Sequence, residues 1–167
     1  SCRYLHGTFR SLLIEDFYRL INIINKMDEK KTITIKALIN APVEQVWKLY
    51  TEPEHVMKWN NASNDWHTPR AENDLKVGGK FLYRMEAKDG SSGFDFEGTY
   101  EQVKTDELIV YSLTDGRKVE VIFIKDNDTR TKMATTFEAE NANPIEMQHD
   151  GWQAILNNFK KYVETRN

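Results

Sequence analysis

Between His149 and Val163 apolar side chains return every three or four residues. Trp152, Ile155, Leu156, Phe159, Tyr162 and Val163 therefore share one side of a helix. Gln153, Asn157, Lys160, Lys161 and Glu164 fall between them and give the helix a face for water. Asn143 reads as its N-cap, Pro144 as part of the first turn and Glu146 as a capping-box carboxylate. Gly151 interrupts the pattern at a cost of about 1 kcal/mol against alanine, which marks close packing or a bend. A helix with so long an apolar side needs a partner surface.

The rest of the pattern supplies one. Thr32 to Leu38 alternates and is β-branched, as a strand does. Pro42 opens a helix with Val46, Trp47 and Tyr50 on its apolar side, and Pro53 opens a second, short one carrying Val56, Met57 and Trp59. Asn60 to Glu72 is polar around Trp66 and His67 and reads as an irregular connection. From Gly78 the period is two: Phe81, Tyr83 and Met85 share a face, and so do Phe94, Phe96, Gly98 and Tyr100. Leu108 to Thr114 is the next strand, Val119, Val121 and Phe123 line the one after, and Met133, Thr135 and Phe137 line the last. Asp89-Gly90, Asp115-Gly116 and Asp126-Asn127-Asp128 make the turns between. The order of strand, two helices, meander and long helix is an α+β layout with antiparallel pairing, a sheet closed over by its last helix.

Residues 1 to 29 stand apart as an N-terminal extension, and the domain is expected over residues 30 to 167. Phe9, Leu12, Leu13, Phe17, Leu20, Ile21 and Ile24 form a helical stripe broken by Asp16. Charges within it argue against a signal peptide. Met27 reads as a native initiator, with residues 1 to 26 from an upstream start or a cloning artefact; the competing reading is a docking helix or dimer contact. A net charge of −3 with both signs interspersed lacks the footprint of a nucleic-acid binder. A single cysteine, Cys2, allows no disulfide framework and fits a cytoplasmic protein, and no apolar run is long enough for membrane insertion.

The inward faces raise the main functional candidate. Phe81, Tyr83, Met85, Phe94, Phe96, Val121 and Phe123 fall opposite Trp152, Leu156 and Phe159, a composition suited to an apolar pocket of roughly 300–1,000 Å³. Tyr83 and Trp152 each join an apolar body to one polar handle that can orient a ligand. The competing reading is plain core. His149, one turn before Trp152, is a candidate for the pocket mouth and otherwise a surface or capping histidine. Asp95 and Glu97 alternate with the inward phenylalanines, so a solvated face is favoured over an acid/base pair. His6, His55, His67 and His149 lack ligand spacing, and no metal or other cofactor is expected. No GxSxG motif is present, and Gly78-Gly79 lacks the rest of a phosphate loop.

Three stretches occur in order: Ala41-Pro42-Val43-Glu44-Gln45-Val46-Trp47, Leu75-Lys76-Val77-Gly78-Gly79-Lys80-Phe81 and His149-Asp150-Gly151-Trp152. With the element order, they resemble the branch of the START-like (SRPBCC) helix-grip superfamily related to activators of the heat shock protein 90 ATPase. The likeness covers about residues 32 to 165. It implies a curved antiparallel sheet gripping the C-terminal helix, often with a cavity between them, whose entrance Trp59, Trp66 and His67 would border. The superfamily includes lipid and polyketide carriers, cyclases and hydrolase-like enzymes. The branch holds a eukaryotic co-chaperone domain, accompanied there by a separate N-terminal domain without counterpart here. The expectation is a binder of a small apolar, aromatic or lipid-like molecule. The alternatives are an interaction module for a chaperone or other protein, and a cyclase- or hydrolase-like enzyme.

Overall fold

A computed structural model of the chain describes residues 30–166 together with Ile14, Glu15, Phe17, Tyr18, Arg19 and Ile21. The chain divides into two units, Ser1–Lys31 and Thr32–Asn167. In the first, Ile14, Glu15, Phe17, Tyr18, Arg19 and Ile21 are helical, with Phe17 and Tyr18 exposed. The expectations for Cys2, His6, Phe9, Leu12, Leu13, Asp16, Leu20, Ile24 and Met27 lie outside the described residues.

The second unit runs β1 (Thr32–Ile39), α1 (Val43–Thr51), α2 (Pro53–Trp59), β2 (Trp66–Asn73), β3 (Lys80–Ala87), β4 (Gly93–Lys104), β5 (Leu108–Leu113), β6 (Lys118–Asn127), β7 (Arg130–Glu138) and α3 (Ile145–Glu164). All strand pairs are antiparallel, in the order β1-β7-β6-β5-β4-β3-β2. The α+β helix-grip architecture is as expected: a curved sheet with the long helix against it. Ile33, Ile35, Val119, Val121, Phe123, Met133 and Phe137 fill the core from the sheet, and Leu156, Phe159 and Val163 from α3.

The segment expected to be irregular holds the edge strand β2. Its apolar alternation is interrupted by Pro69, Arg70 and Glu72, which hid it. An edge strand tolerates a proline at a bulge, and the β2–β3 register shifts between His67 and Arg70, around Pro69. Thr68, buried, donates to the Asn60 carbonyl and accepts from the Asn60 side chain, tying β2 to the end of α2.

The start of α3 also differs from expectation. Pro144 is the N-cap, and neither Asn143 nor Glu146 caps the helix through its side chain. Gln148 does the equivalent work from the first turn. It donates to the carbonyls of Glu140 and Asn143 at 3.0 and 2.8 Å and accepts the Glu140 N–H at 2.9 Å. The Asn143 side chain is a donor, to the Glu140 carboxylate at 2.8 Å.

Three polar residues of α3 expected to face water serve the other sheet edge instead. The Lys36 backbone N–H on β1 donates to Gln153 Oε1 at 3.3 Å, and Gln153 Nε2 donates to the Lys36 carbonyl at 3.0 Å. Lys160 donates to the Leu38 carbonyl, and Asn40 N–H to Glu164 at 2.9 Å. An edge strand has every second backbone group unpaired. Helix side chains at the right rise satisfy those of β1, fixing α3 along the sheet.

Gly78 and Gly79 owe their place to turn geometry. Gly78 has φ +80°, and a Cβ at Gly79 would lie 2.0 Å from the Asp74 carbonyl oxygen. Gly78 N–H donates to the Tyr100 carbonyl at 2.8 Å and Tyr100 N–H to the Gly79 carbonyl at 2.9 Å, which bonds this turn to β4. Gly151, in contrast, has nothing within 4 Å of an added Cβ, so neither close packing nor a tight approach explains it. Gly151→Ala should raise the unfolding free energy by about 0.4–1 kcal/mol, read from urea denaturation, because only the helix-propensity gain remains.

Candidate functional site

Between the concave face of the sheet and α3 lies a partly open cavity of about 150 Å³. β3 contributes Phe81, Tyr83 and Met85, β4 contributes Phe94, Phe96 and Tyr100, and α3 contributes Trp152, Ile155, Leu156 and Phe159. Strand alternation and helical period put these faces together, as the sequence indicates. Their centre is Phe81, whose ring lies 4.8 Å from that of Tyr111, 5.1 Å from Tyr83 and 5.4 Å from Tyr100. Gly98, its cross-strand partner, makes room: an added Cβ there would come within 2.8 Å of the Phe81 ring.

One end is sealed by the corner between α1 and α2. Tyr50 stacks on Trp59 at 5.2 Å and meets Phe159 edge-on at 5.3 Å. Trp59 Nε1 donates to the Leu49 carbonyl at 2.9 Å, which fixes the indole. On the α3 side Trp152 lies flat on Phe137, 4.0 Å between centroids, and meets Phe96 edge-on at 5.8 Å. Phe94 is 47 % exposed and sits 6.1 Å from Trp66, which marks this corner as the open rim.

The remaining expected residues lie elsewhere. Val121 and Phe123 are buried, but α1 covers them: Trp47 and Tyr50 pack on Phe123 at 5.1 and 5.5 Å, so they belong to the core rather than the cavity wall. His149 is exposed beside Asp150, with 3.1 Å between Nδ1 and the carboxylate, and is not in the lining. His67 faces Glu86 at 3.8 Å, also outside it, and Trp66 is outside the lining as well, with its ring beside Phe94. Trp59 forms part of the closed end rather than the entrance. Asp95 lies on the outer face with Arg84 at 3.3 Å.

Sequence reasoning singled out one tyrosine where the cavity has four. Tyr50, Tyr100 and Tyr111 join Tyr83 in the lining. The signal for Tyr100 was its shared face with Phe94 and Phe96; Tyr50 read only as a helix-face residue. Asn73 Nδ2 donates to the Thr51 carbonyl at 2.7 Å, which turns its Oδ1 to accept from the Tyr100 hydroxyl at 2.6 Å, and Tyr83 adjoins that hydroxyl. Burial holds all four phenols protonated. Burial pushes Tyr100 up to about 12; it also raises Tyr50, Tyr83 and Tyr111 well above the ordinary range, and for these three neighbouring tyrosines add to the effect. These shifts lead away from neutrality, so at pH 7 the cavity offers neutral hydroxyls rather than a poised proton-transfer pair.

No lining residue is charged. Among the described residues, Glu52, Glu54 and His55 are the acid–histidine group close enough to face one ion, and they lie outside the lining, with His55 Nδ1 already 2.7 Å from the Tyr162 hydroxyl. No helix among the described residues is long and apolar enough to cross a membrane.

The family model described as Activator of Hsp90 ATPase homolog 1-like protein matches residues 40–164. Among solved structures, the chain is similar to the AHSA1-like protein from Aeromonas hydrophila, with 43% identity and a TM-score of 0.76 over 81% of this chain and 94% of that one. It is similar as well to Chr148 from Cytophaga hutchinsonii, with 51% identity and a TM-score of 0.71 over 81% and 93% of the two chains. Protein NE0264 from Nitrosomonas europaea, at 18% identity and a TM-score of 0.71 over 83% and 97%, shares the fold. No curated protein matches the chain.

Proposed function

The chain belongs to the Activator of Hsp90 ATPase homolog 1-like family, and we propose that it binds a small apolar or aromatic molecule in the cavity between sheet and α3 without transforming it. The observation that carries this reading is the lining itself. Aromatic and aliphatic side chains from β3, β4 and α3 surround space left unfilled between the sheet and α3, beside a core of buried apolar residues. Interiors rarely leave such voids, because each forfeits packing contacts. Apolar walls supply affinity, and neutral hydroxyls supply orientation. The single cysteine suits a cytoplasmic setting for this role.

Benzene, titrated into the labelled protein, should shift the indole N–H signals of Trp59 and Trp152 in a saturable way and raise the melting temperature. Ile155→Trp, which projects a larger ring into the same space, should fold and lose both responses. Shifts confined to surface residues, or an undiminished response in the filled variant, would refute a cavity site.

A further inference from the structure

Size and unspent hydrogen-bonding capacity narrow the ligand class. An apolar cavity near 150 Å³ has the capacity to hold one benzene-sized ring, and the cavity here is about that volume. Pockets for larger, drug-sized molecules begin at about twice that. Among the described residues no buried side-chain nitrogen or oxygen lacks a partner. The hydroxyls of Tyr50, Tyr111 and Thr135 nevertheless make no hydrogen bond to protein, so their oxygens open onto accessible space, and all three residues line the cavity. Tyr111 and Thr135 are more than nine-tenths buried, at 6% and 4% exposure. Each hydroxyl carries a proton that needs an acceptor, and the walls around them are mostly hydrocarbon. No lysine, arginine, histidine or carboxylate faces the space, so a charged group would be buried there unpaired, which is strongly unfavourable.

Resting on the binding role above, we infer that the ligand is a single uncharged aromatic ring bearing an oxygen or nitrogen acceptor, with the ring among the phenylalanines and the acceptor at the hydroxyls of Tyr50 and Tyr111. Long acyl chains and aromatic carboxylates fall outside this class.

Four probes test it by nuclear magnetic resonance titration of the full chain at pH 7: ethylbenzene, acetophenone, benzoate and oleate. Acetophenone differs from ethylbenzene by one carbonyl at nearly constant shape. It should bind about tenfold more tightly, the effect expected of one or two good hydrogen bonds, and benzoate and oleate more weakly than either. Tyr50→Phe combined with Tyr111→Phe should cut the acetophenone-to-ethylbenzene ratio to about two or less. Thermal melts of that variant confirm that it is folded. Equal binding of acetophenone and ethylbenzene, a ratio unchanged in the double variant, or tightest binding of benzoate or oleate would overturn the assigned class while leaving a cavity-binding role standing. If no probe shifts the cavity residues, both the class and the binding role fail.

Discussion

Phe159→Ala should lower the unfolding free energy by about 3–5 kcal/mol, the range for removing a buried phenylalanine ring from a core that relaxes only in part. Phe159 is fully buried, and its ring lies 4.8 Å from Trp59 and 5.3 Å from Tyr50. It joins three elements: α3 that carries it and the α1–α2 corner that seals the cavity. With a domain stability typically of 5–15 kcal/mol, this single change removes a large part of it. Urea denaturation at unchanged slope gives the number directly. Phe159→Leu, which keeps most of the volume, should cost less than about half as much. A loss below about 1 kcal/mol for the alanine variant would mean that α3 does not close the core at this point.

Alkali should unfold the protein steeply, because of the same four tyrosines. Below pH 10 their phenols are protonated in both folded and unfolded chains, and their contribution to stability is complete. Above pH 10 the unfolded chain releases these protons. The folded chain keeps them longer, up to about pH 12 for Tyr100, and Tyr50, Tyr83 and Tyr111 are likewise raised well above the ordinary tyrosine range. The unfolded state then binds fewer protons than the folded one, so stability falls as pH rises, by about 1.4 kcal/mol per pH unit for each group. Four groups together lose several kcal/mol between pH 10 and 12, enough to unfold a typical domain. Phenolate absorbance from these residues should therefore appear together with loss of circular dichroism, in one sharp step. Gradual ionisation near pH 10 in a chain that stays folded would contradict their burial. Tyr111→Phe should make the stability loss shallower.

What could be read in the sequence follows from what alternation and helical period encode, which is the face a residue occupies. Phe81, Tyr83, Met85, Phe96, Trp152 and Leu156 reach the cavity because their faces turn inward. Depth along the sheet is not encoded. Val121 and Phe123 share that inward face, yet Trp47 and Tyr50 of α1 lie on Phe123, and the space opens only beyond it. Tyr50 shows the same limit from the other side, since a helix-face tyrosine becomes part of a cavity only when a two-helix corner folds over the sheet. Gln153, Lys160 and Glu164 read as solvent-facing because polar residues normally are. Their partners are backbone groups of β1 and of Asn40 just after it, more than a hundred residues away in sequence, and no local pattern announces an edge strand's needs. His149 shares a motif with Trp152 but not its direction, and it ends beside Asp150 at the surface.

The central claim is that the space between sheet and α3 is held open for a molecule, and native mass spectrometry of the protein purified from its own source tests this most directly. The account predicts a mass excess corresponding to one small neutral molecule per chain, absent from the Ile155→Trp variant prepared in the same way. A chain at its bare mass that also takes up neither benzene nor acetophenone when they are added would contradict it, and the cavity would then be a packing defect of the fold.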